Sequence, residues 1–298
     1  MAVPVFTHPD CLKHDPGRHH PETPARLQAT LDRLASLPVA TVHQAPAGGR
    51  DELRLVHPEA YLARLEGMSR AGGGELDPDT PVCAASWAAV LGATGALRAA
   101  IDAAHATGAH AFAAIRPPGH HALEANAMGF CQVNNVVVGA RLAQRLGRKR
   151  VLIVDWDVHH GNGTQALMEH DPTMRFVSLH QHPWYPGTGM ADERGVGNVF
   201  NVPRGPGAPA ELYVEDLWAA IIAASRGWPP EIVLISAGYD ALYGDPLGGF
   251  TLEPPDFARL TLRLREEFPR APIVGVLEGG YIPSRVAEGV AETVQALA

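Results

Sequence analysis

The chain has 298 residues, 46% of them hydrophobic and 19% charged, which is enough apolar content for a sizeable core in one large α/β domain or two small ones. With a net charge of −8 and lysine only at Lys13 and Lys149 there is no basic stripe for nucleic acid, and an acidic surface tolerates or attracts cationic substrates. Cys11, Cys83 and Cys131 are widely spaced with no CxxC pair, so neither a disulfide framework nor a thiolate zinc site is indicated; MAVPVFTHPD lacks a signal-peptide pattern and no apolar run reaches bilayer-spanning length, so a cytoplasmic protein without a membrane or nucleic-acid partner is expected.

In chain order, AGGR (47–50) and AGGGELDPDTP (71–81) are Gly/Pro-rich and read as loops. No repeat and no break in composition appears, which predicts one domain over 1–298. An Ala-rich helix follows from Ala85 to Ala106, with Trp87, Val90, Leu97 and Ile101 spaced along it. HAFAAI (110–115) is a strand, Val133 to Leu146 a helix, and RVLIVD (150–155) and RFVSLH (175–180) are strands. Ala210 to Ser225 is a helix, EIVLIS (231–236) a strand, Pro255 to Phe268 a helix, PIVGVL (272–277) a strand and Ser284 to Leu297 a helix. Near-continuous apolar strands alternating with helices predict an α/β fold, a mainly parallel sheet flanked by helices on both faces.

Each predicted strand runs into a polar loop: RPPGHHA, DWDVHHGNG, HQHPWYPGTG, AGYDALYGDPLGGF and EGGY. Ligands of open parallel sheets bind beyond the carboxyl ends of the strands, so these five loops should share one edge. Asp155, Asp157 and His159 are spaced two apart, which puts them on one side of an extended segment. Asp with His suits a divalent ion such as zinc. A third ligand must come from another loop. Asp240 is favoured and Asp245 is the alternative, although a Gly-Asp-Pro turn explains Asp245 without metal. One His and two Asp would leave a position open for water, as a catalytic ion needs.

A lone DxDxH could equally cap a helix or form a solvated turn. The adjacent His120 and His121 in a parallel loop weigh against that. Cys131 reads as a small buried residue, and no GxSxG nucleophile elbow is present. His105, His110 and His170 are expected at the surface, and His8, His14, His19, His20, His43 and His57 in structural or exposed positions. His180 and His182 are placed on a rim loop, where Trp184 and Tyr185 either pack in the core or wall an apolar slot beside Phe130.

HHPETPARL, RPPGHHA, GFCQVNN, VDWDVHHGNGTQ, VSLHQHPWYPGTG, NVPRGPG, SAGYDALYGDPLGGF and LEGGY together resemble the histone deacetylase superfamily, closest to its class II-like bacterial amidohydrolases. They occur in the family's order and span residues 19 to 281. The resemblance implies an arginase-like three-layer α/β/α fold around one zinc ion, held by Asp157, His159 and Asp240. It implies His121 as general base and then acid, and His120 as its electrostatic partner, oriented by Asp155. Tyr281 would polarise the acyl carbonyl. Phe130 and Tyr185 would wall an acyl-lysine tunnel, with Leu247 and Asp79 at its rim and the Gly129 carbonyl accepting the scissile amide N–H. A structural monovalent cation, potassium, is implied at Asp155, Asp157, His159, Ser178 and Leu179.

Asn162 stands where class I-like members carry an aspartate, which leaves His121 less basic. Leu247 stands where a polyamine-selective member carries an acid. The implied activity is zinc-dependent removal of acetyl or other short acyl groups from lysine peptides or similar N-acyl amines. The alternatives are an acetylpolyamine amidohydrolase, a binuclear manganese ureohydrolase and a non-catalytic acyl-lysine binder. The ureohydrolase would need more carboxylates and would have no use for Tyr281.

Overall fold

The structure is a computed structural model that describes residues 2–298. The described residues form ten strands: β1 (Val3–Thr7), β2 (Ala40–Gln44), β3 (Gly73–Asp77), β4 (Thr80–Cys83), β5 (Ala111–Ala113), β6 (Val151–Asp155), β7 (Met174–Gln181), β8 (Val199–Arg204), β9 (Ile232–Ala237) and β10 (Ile273–Leu277). The helices are α1 (Pro24–Ala35), α2 (Arg50–Leu53), α3 (Glu59–Arg70), α4 (Ser86–Thr107), α5 (Asn135–Arg145), α6 (Asn162–Met168), α7 (Ala210–Ser225), α8 (Pro254–Glu267) and α9 (Pro283–Leu297).

Eight strands form one sheet in the order β2-β1-β5-β10-β9-β6-β7-β8, and every pairing in it is parallel. The inner strands β6, β9 and β10 are buried at every residue, because helices cover both faces. Helices α1, α9, α8 and α7 pack in succession as one group, and α4, α5 and α6 as another. This is the expected α/β architecture.

All five predicted strands and all five predicted helices form, with ends shifted by a few residues. Two differences bear on the site. The stretch 71–81, expected as a loop, contains most of the antiparallel hairpin β3–β4, whose turn carries Asp79. Its Gly, Pro and Asp residues mark the turn, but hairpin pairing needs no long apolar run. The segment after His160 forms the short helix α6, whose first residue is Asn162. Among the described residues, no helix is long and apolar enough to cross a membrane.

Candidate active site and metal centre

β6 ends at Asp155, and the chain then bends over residues 157–159 instead of staying extended, which brings Asp157 and His159 together at the strand end. β9 lies beside β6 in parallel register, so the loop after β9 delivers Asp240 to the same place. Asp157, His159 and Asp240 each offer one atom, and the three atoms lie within 4.8 Å of one another. His159 Nδ1 is 3.0 Å from Asp157 Oδ1 and 3.2 Å from Asp240 Oδ2. Asp240 Oδ1 accepts the Val158 N–H at 2.7 Å, whereas its Oδ2 is buried without a hydrogen-bond partner.

Buried carboxylate oxygens are normally paired, so an orphaned one aimed at an imidazole and a second carboxylate fits a divalent cation. The backbone makes room for the pair. A Cβ at Gly238 would overlap the Asp157 carboxylate, and one at Gly279 would overlap both Asp157 and Asp240. Asp245, the alternative third ligand, is excluded from the set. Its Oδ1 accepts the Leu247 N–H at 2.9 Å and its Oδ2 accepts the Tyr281 N–H at 2.7 Å.

The loop after β5 brings the two adjacent histidines. His120 Nδ1 lies 3.0 Å from Asp155 Oδ2, and His121 Nδ1 lies 2.8 Å from Asn162 Oδ1. The Asn162 amide nitrogen faces Met128 Sδ at 3.3 Å, so its oxygen faces the ring and His121 donates from Nδ1. That leaves His121 Nε2 as the basic nitrogen. The two environments push the rings apart. Burial opposes charge on His120, but Asp157 and Asp155 outweigh it and hold its pKa up to about 10. Burial, with the charges of His120 and His159, pushes His121 well below the usual imidazole range. Burial opposes charge on His159 as well, but the adjoining Asp157 and Asp240 carboxylates hold its pKa up to about 10. A divalent cation at those three atoms would compete with that proton.

A cavity of about 240 Å³ opens above these groups, lined by Asp79, His121, Gly129, Phe130, His159, Trp184, Tyr185, Leu247 and Tyr281. Gly129 (φ 56°) and Phe130 (φ 68°) both take left-handed backbone conformations, and a Cβ on Gly129 would run into His121. The hairpin turn holds this strained pair in place. Gly129 N–H donates to Asp79 Oδ1 at 2.9 Å, and Phe130 N–H donates to Thr80 Oγ1 at 3.1 Å. The Phe130 ring meets Tyr281 edge-on at 5.7 Å, and Tyr185 meets His121 edge-on at 5.2 Å. The Tyr281 hydroxyl is kept neutral by burial and by the charge of Asp240.

The carbonyls of Asp157 and His159 accept no hydrogen bond from any described residue, as a cation-binding backbone segment requires. Ser178 pairs in register with Asp155 on the neighbouring strand, and Leu179 follows it. All the residues expected at the site therefore gather at one edge of the sheet.

Four contacts were not anticipated. Glu278 Oε2 accepts the N–H groups of Gly119 and His120, at 2.6 and 3.2 Å, and so anchors the histidine loop. Glu278 is the acid of the LEGGY motif, in which only Tyr281 is an expected site residue. Trp184 lines the cavity, the second of its two expected places, and the unanticipated part is its indole N–H bond to the Leu247 carbonyl at 2.7 Å. Thr80 holds Phe130, and His20 packs on the Phe130 ring at 4.5 Å. Two histidine expectations change. His180 is buried in β7, bonded to Ser178 and to the Gly189 carbonyl, and so is not a rim residue. His110 is half-buried and accepts the Ile273 N–H instead of facing solvent.

A family profile described as the histone deacetylase domain matches residues 20–297. A probable deacetylase of Archaeoglobus fulgidus is 36% identical, with 94% of this chain and 82% of that protein covered. A histone deacetylase-like amidohydrolase of Pseudomonas aeruginosa is 36% identical, over 88% of this chain and 71% of that protein. The solved structure of an acetylpolyamine aminohydrolase from Burkholderia pseudomallei superposes with a TM-score of 0.92 at 25% identity, covering 99% of this chain and 98% of that one.

Proposed function

The chain belongs to the histone deacetylase family, and from that premise we propose a zinc-dependent amidohydrolase that removes acetyl or other short acyl groups from lysine side chains or similar N-acyl amines. One observation carries the reading. The convergent set Asp157, His159 and Asp240 lies beside a narrow aromatic cavity that also receives His121 and Tyr281. We read residues 1–298 as one catalytic domain of a cytoplasmic enzyme.

Asp157, His159 and Asp240 would hold the zinc ion. When bound, zinc supplies Lewis-acid polarisation of the acyl oxygen and activation of water. The remaining chemistry belongs to the protein. Neutral His121, its tautomer set by Asn162, takes a proton from the attacking water at Nε2. Charged His120, paired with Asp155, lies beside it and favours the anionic transition state. The Tyr281 hydroxyl donates to the acyl oxygen as negative charge builds there. His121 then returns the proton to the leaving amine. The products are a short carboxylic acid and a free amine.

Phe130 and Tyr185 wall the path of a linear alkyl stem, and the Gly129 carbonyl accepts the scissile amide N–H. Leu247 and Asp79 form the rim. Asp79 Oδ1 is already taken by Gly129 and Thr80, so substrate amides would use its other oxygen. Backbone carbonyls of Asp155, Asp157 and His159, with Ser178 and Leu179, would hold potassium and stiffen the ligand loop. The likeness to an acetylpolyamine aminohydrolase keeps acetylated polyamines as the second substrate class, and the apolar Leu247 at the rim disfavours it. A binuclear manganese centre lacks support, because no second group of three such ligands converges among the described residues.

The test is a panel of acyl-lysine peptides and acetylated polyamines, assayed with zinc and with chelator. Turnover of acetyl-lysine that chelator abolishes and zinc restores is the expected result. Turnover of polyamines alone would favour the second substrate class, and no turnover of either would refute the reading.

A further inference from the structure

We propose that Asp245 is a positioning residue that sets Tyr281 through its main chain and ties it to the cavity rim, an inference that rests on the amidohydrolase reading above. Asp245 is buried in the loop after β9. A Gly-Asp-Pro turn accounts for only one of its bonds, Oδ1 to the Leu247 N–H two residues on. The other oxygen reaches across the fold to the Tyr281 N–H, 36 residues away, at 2.7 Å. Leu247 in turn receives the Trp184 indole N–H on its carbonyl. One carboxylate thus joins the tyrosine loop, the rim residue Leu247 and, through it, the half-exposed Trp184.

The tyrosine loop needs such an anchor. Tyr281 follows Gly279 and Gly280, and Gly280 sits at φ +110°, where the backbone has little stiffness of its own. The Gly279 N–H is tied to Asp157 Oδ2 at 2.9 Å, and the Gly280 carbonyl accepts from Arg26. The bond to Asp245 holds the Tyr281 main chain, two residues before α9 begins at Pro283, while Arg26 and Phe130 touch only the ring. Without it, the ring can shift against Phe130 while the metal ligands stay in place. Ionised Asp offers two acceptors, one for each N–H. Asparagine offers one acceptor and turns its NH2 towards the other N–H, so Asp245→Asn breaks one of the two bonds at little change in volume.

The experiment is a double-mutant cycle of Asp245→Asn with Tyr281→Phe, measuring kcat and KM on acetyl-lysine and trifluoroacetyl-lysine peptides, with zinc content measured on every variant. A displacement of about 1 Å at a catalytic group can cost on the order of 10²-fold. Asp245→Asn is therefore expected to lower kcat by roughly 10- to 100-fold with zinc content and KM nearly unchanged. In the Tyr281→Phe background the same change should cost less than about threefold, because the hydroxyl it positions is gone. The trifluoroacetyl-to-acetyl ratio of kcat should rise in Asp245→Asn as it rises in Tyr281→Phe. That ratio is independent of the fraction of active protein, so partial misfolding does not obscure it. Should Asp245→Asn yield no active protein, Asp245→Glu is read by the same ratio.

Equal losses in both backgrounds, an unmoved ratio, or loss of zinc would each overturn the proposal. If Tyr281→Phe alone leaves turnover intact, it is the mechanism above that fails. If Tyr281→Phe costs turnover and the cycle is additive, only the role of Asp245 fails.

Discussion

Replacing Tyr281 by phenylalanine removes one oxygen and little else. The ring keeps its edge contact with Phe130 at 5.7 Å and its place beneath the Arg26 guanidinium at 5.1 Å. The backbone keeps its bond to Asp245. The thermal midpoint and the zinc content should therefore match the parent protein. The hydroxyl is proposed to strengthen its bond to the acyl oxygen as charge develops, so its loss should fall on kcat more than on KM. One such donor is typically worth about 10²–10³ in rate, or roughly 2.7–4 kcal/mol. Steady-state kinetics on acetyl-lysine and trifluoroacetyl-lysine peptides, at matched zinc content, measure this directly. The trifluoroacetyl carbonyl needs less polarisation and should lose less. Equal losses on the two substrates would refute a polarising role, and an unchanged kcat would remove Tyr281 from the chemistry.

Three further outcomes follow from the geometry. Asp157→Ala and Asp240→Ala should each abolish turnover and sharply weaken zinc binding, while Asp245→Ala keeps zinc; metal analysis of the purified variants would contradict the ligand set if that order were reversed. Linear hydroxamates should inhibit with the chain between Phe130 and Tyr185, and a crystal complex with the inhibitor outside those rings would exclude the tunnel. His57 should stay neutral to unusually low pH. Its Nδ1–H donates to the Glu124 carbonyl and its Nε2 accepts the Asn134 N–H, and burial lowers its pKa to about 4. Between about pH 6.5 and 4 the unfolded chain takes up a proton that the folded one refuses, so this contribution to stability is present above pH 6.5 and is lost on acidification. An NMR titration placing His57 near 6.5 in the folded protein would contradict this.

The strands β6, β9 and β10 were legible because burial on both faces writes an unbroken apolar run. The sheet margins were not. β2 is an exposed edge with a polar run, ATVHQ, and β8 carries Asn201 and Pro203. The hairpin β3–β4 hid behind the Gly, Pro and Asp residues of its own turn. At the site, Asp155, Asp157 and His159 were legible from their spacing, and Asp240 from its place just past a strand. The choice of Asp240 over Asp245 as the third convergent side chain became firm only with three dimensions. Glu278, the indole bond of Trp184 and the second bond of Asp245 left no trace in the pattern, because each acts on backbone atoms far away in the chain: Glu278 reaches across 159 residues to Gly119 and Trp184 across 63 to Leu247.

One zinc ion at Asp157, His159 and Asp240 is proposed to turn this cavity into a deacylating site. The most direct test is to strip the protein with chelator, titrate zinc back, and follow bound metal and acetyl-lysine turnover on the same samples. Both are expected to rise together and level off at one ion per chain. Full turnover without metal, or activity that appears only with a second ion, would contradict it.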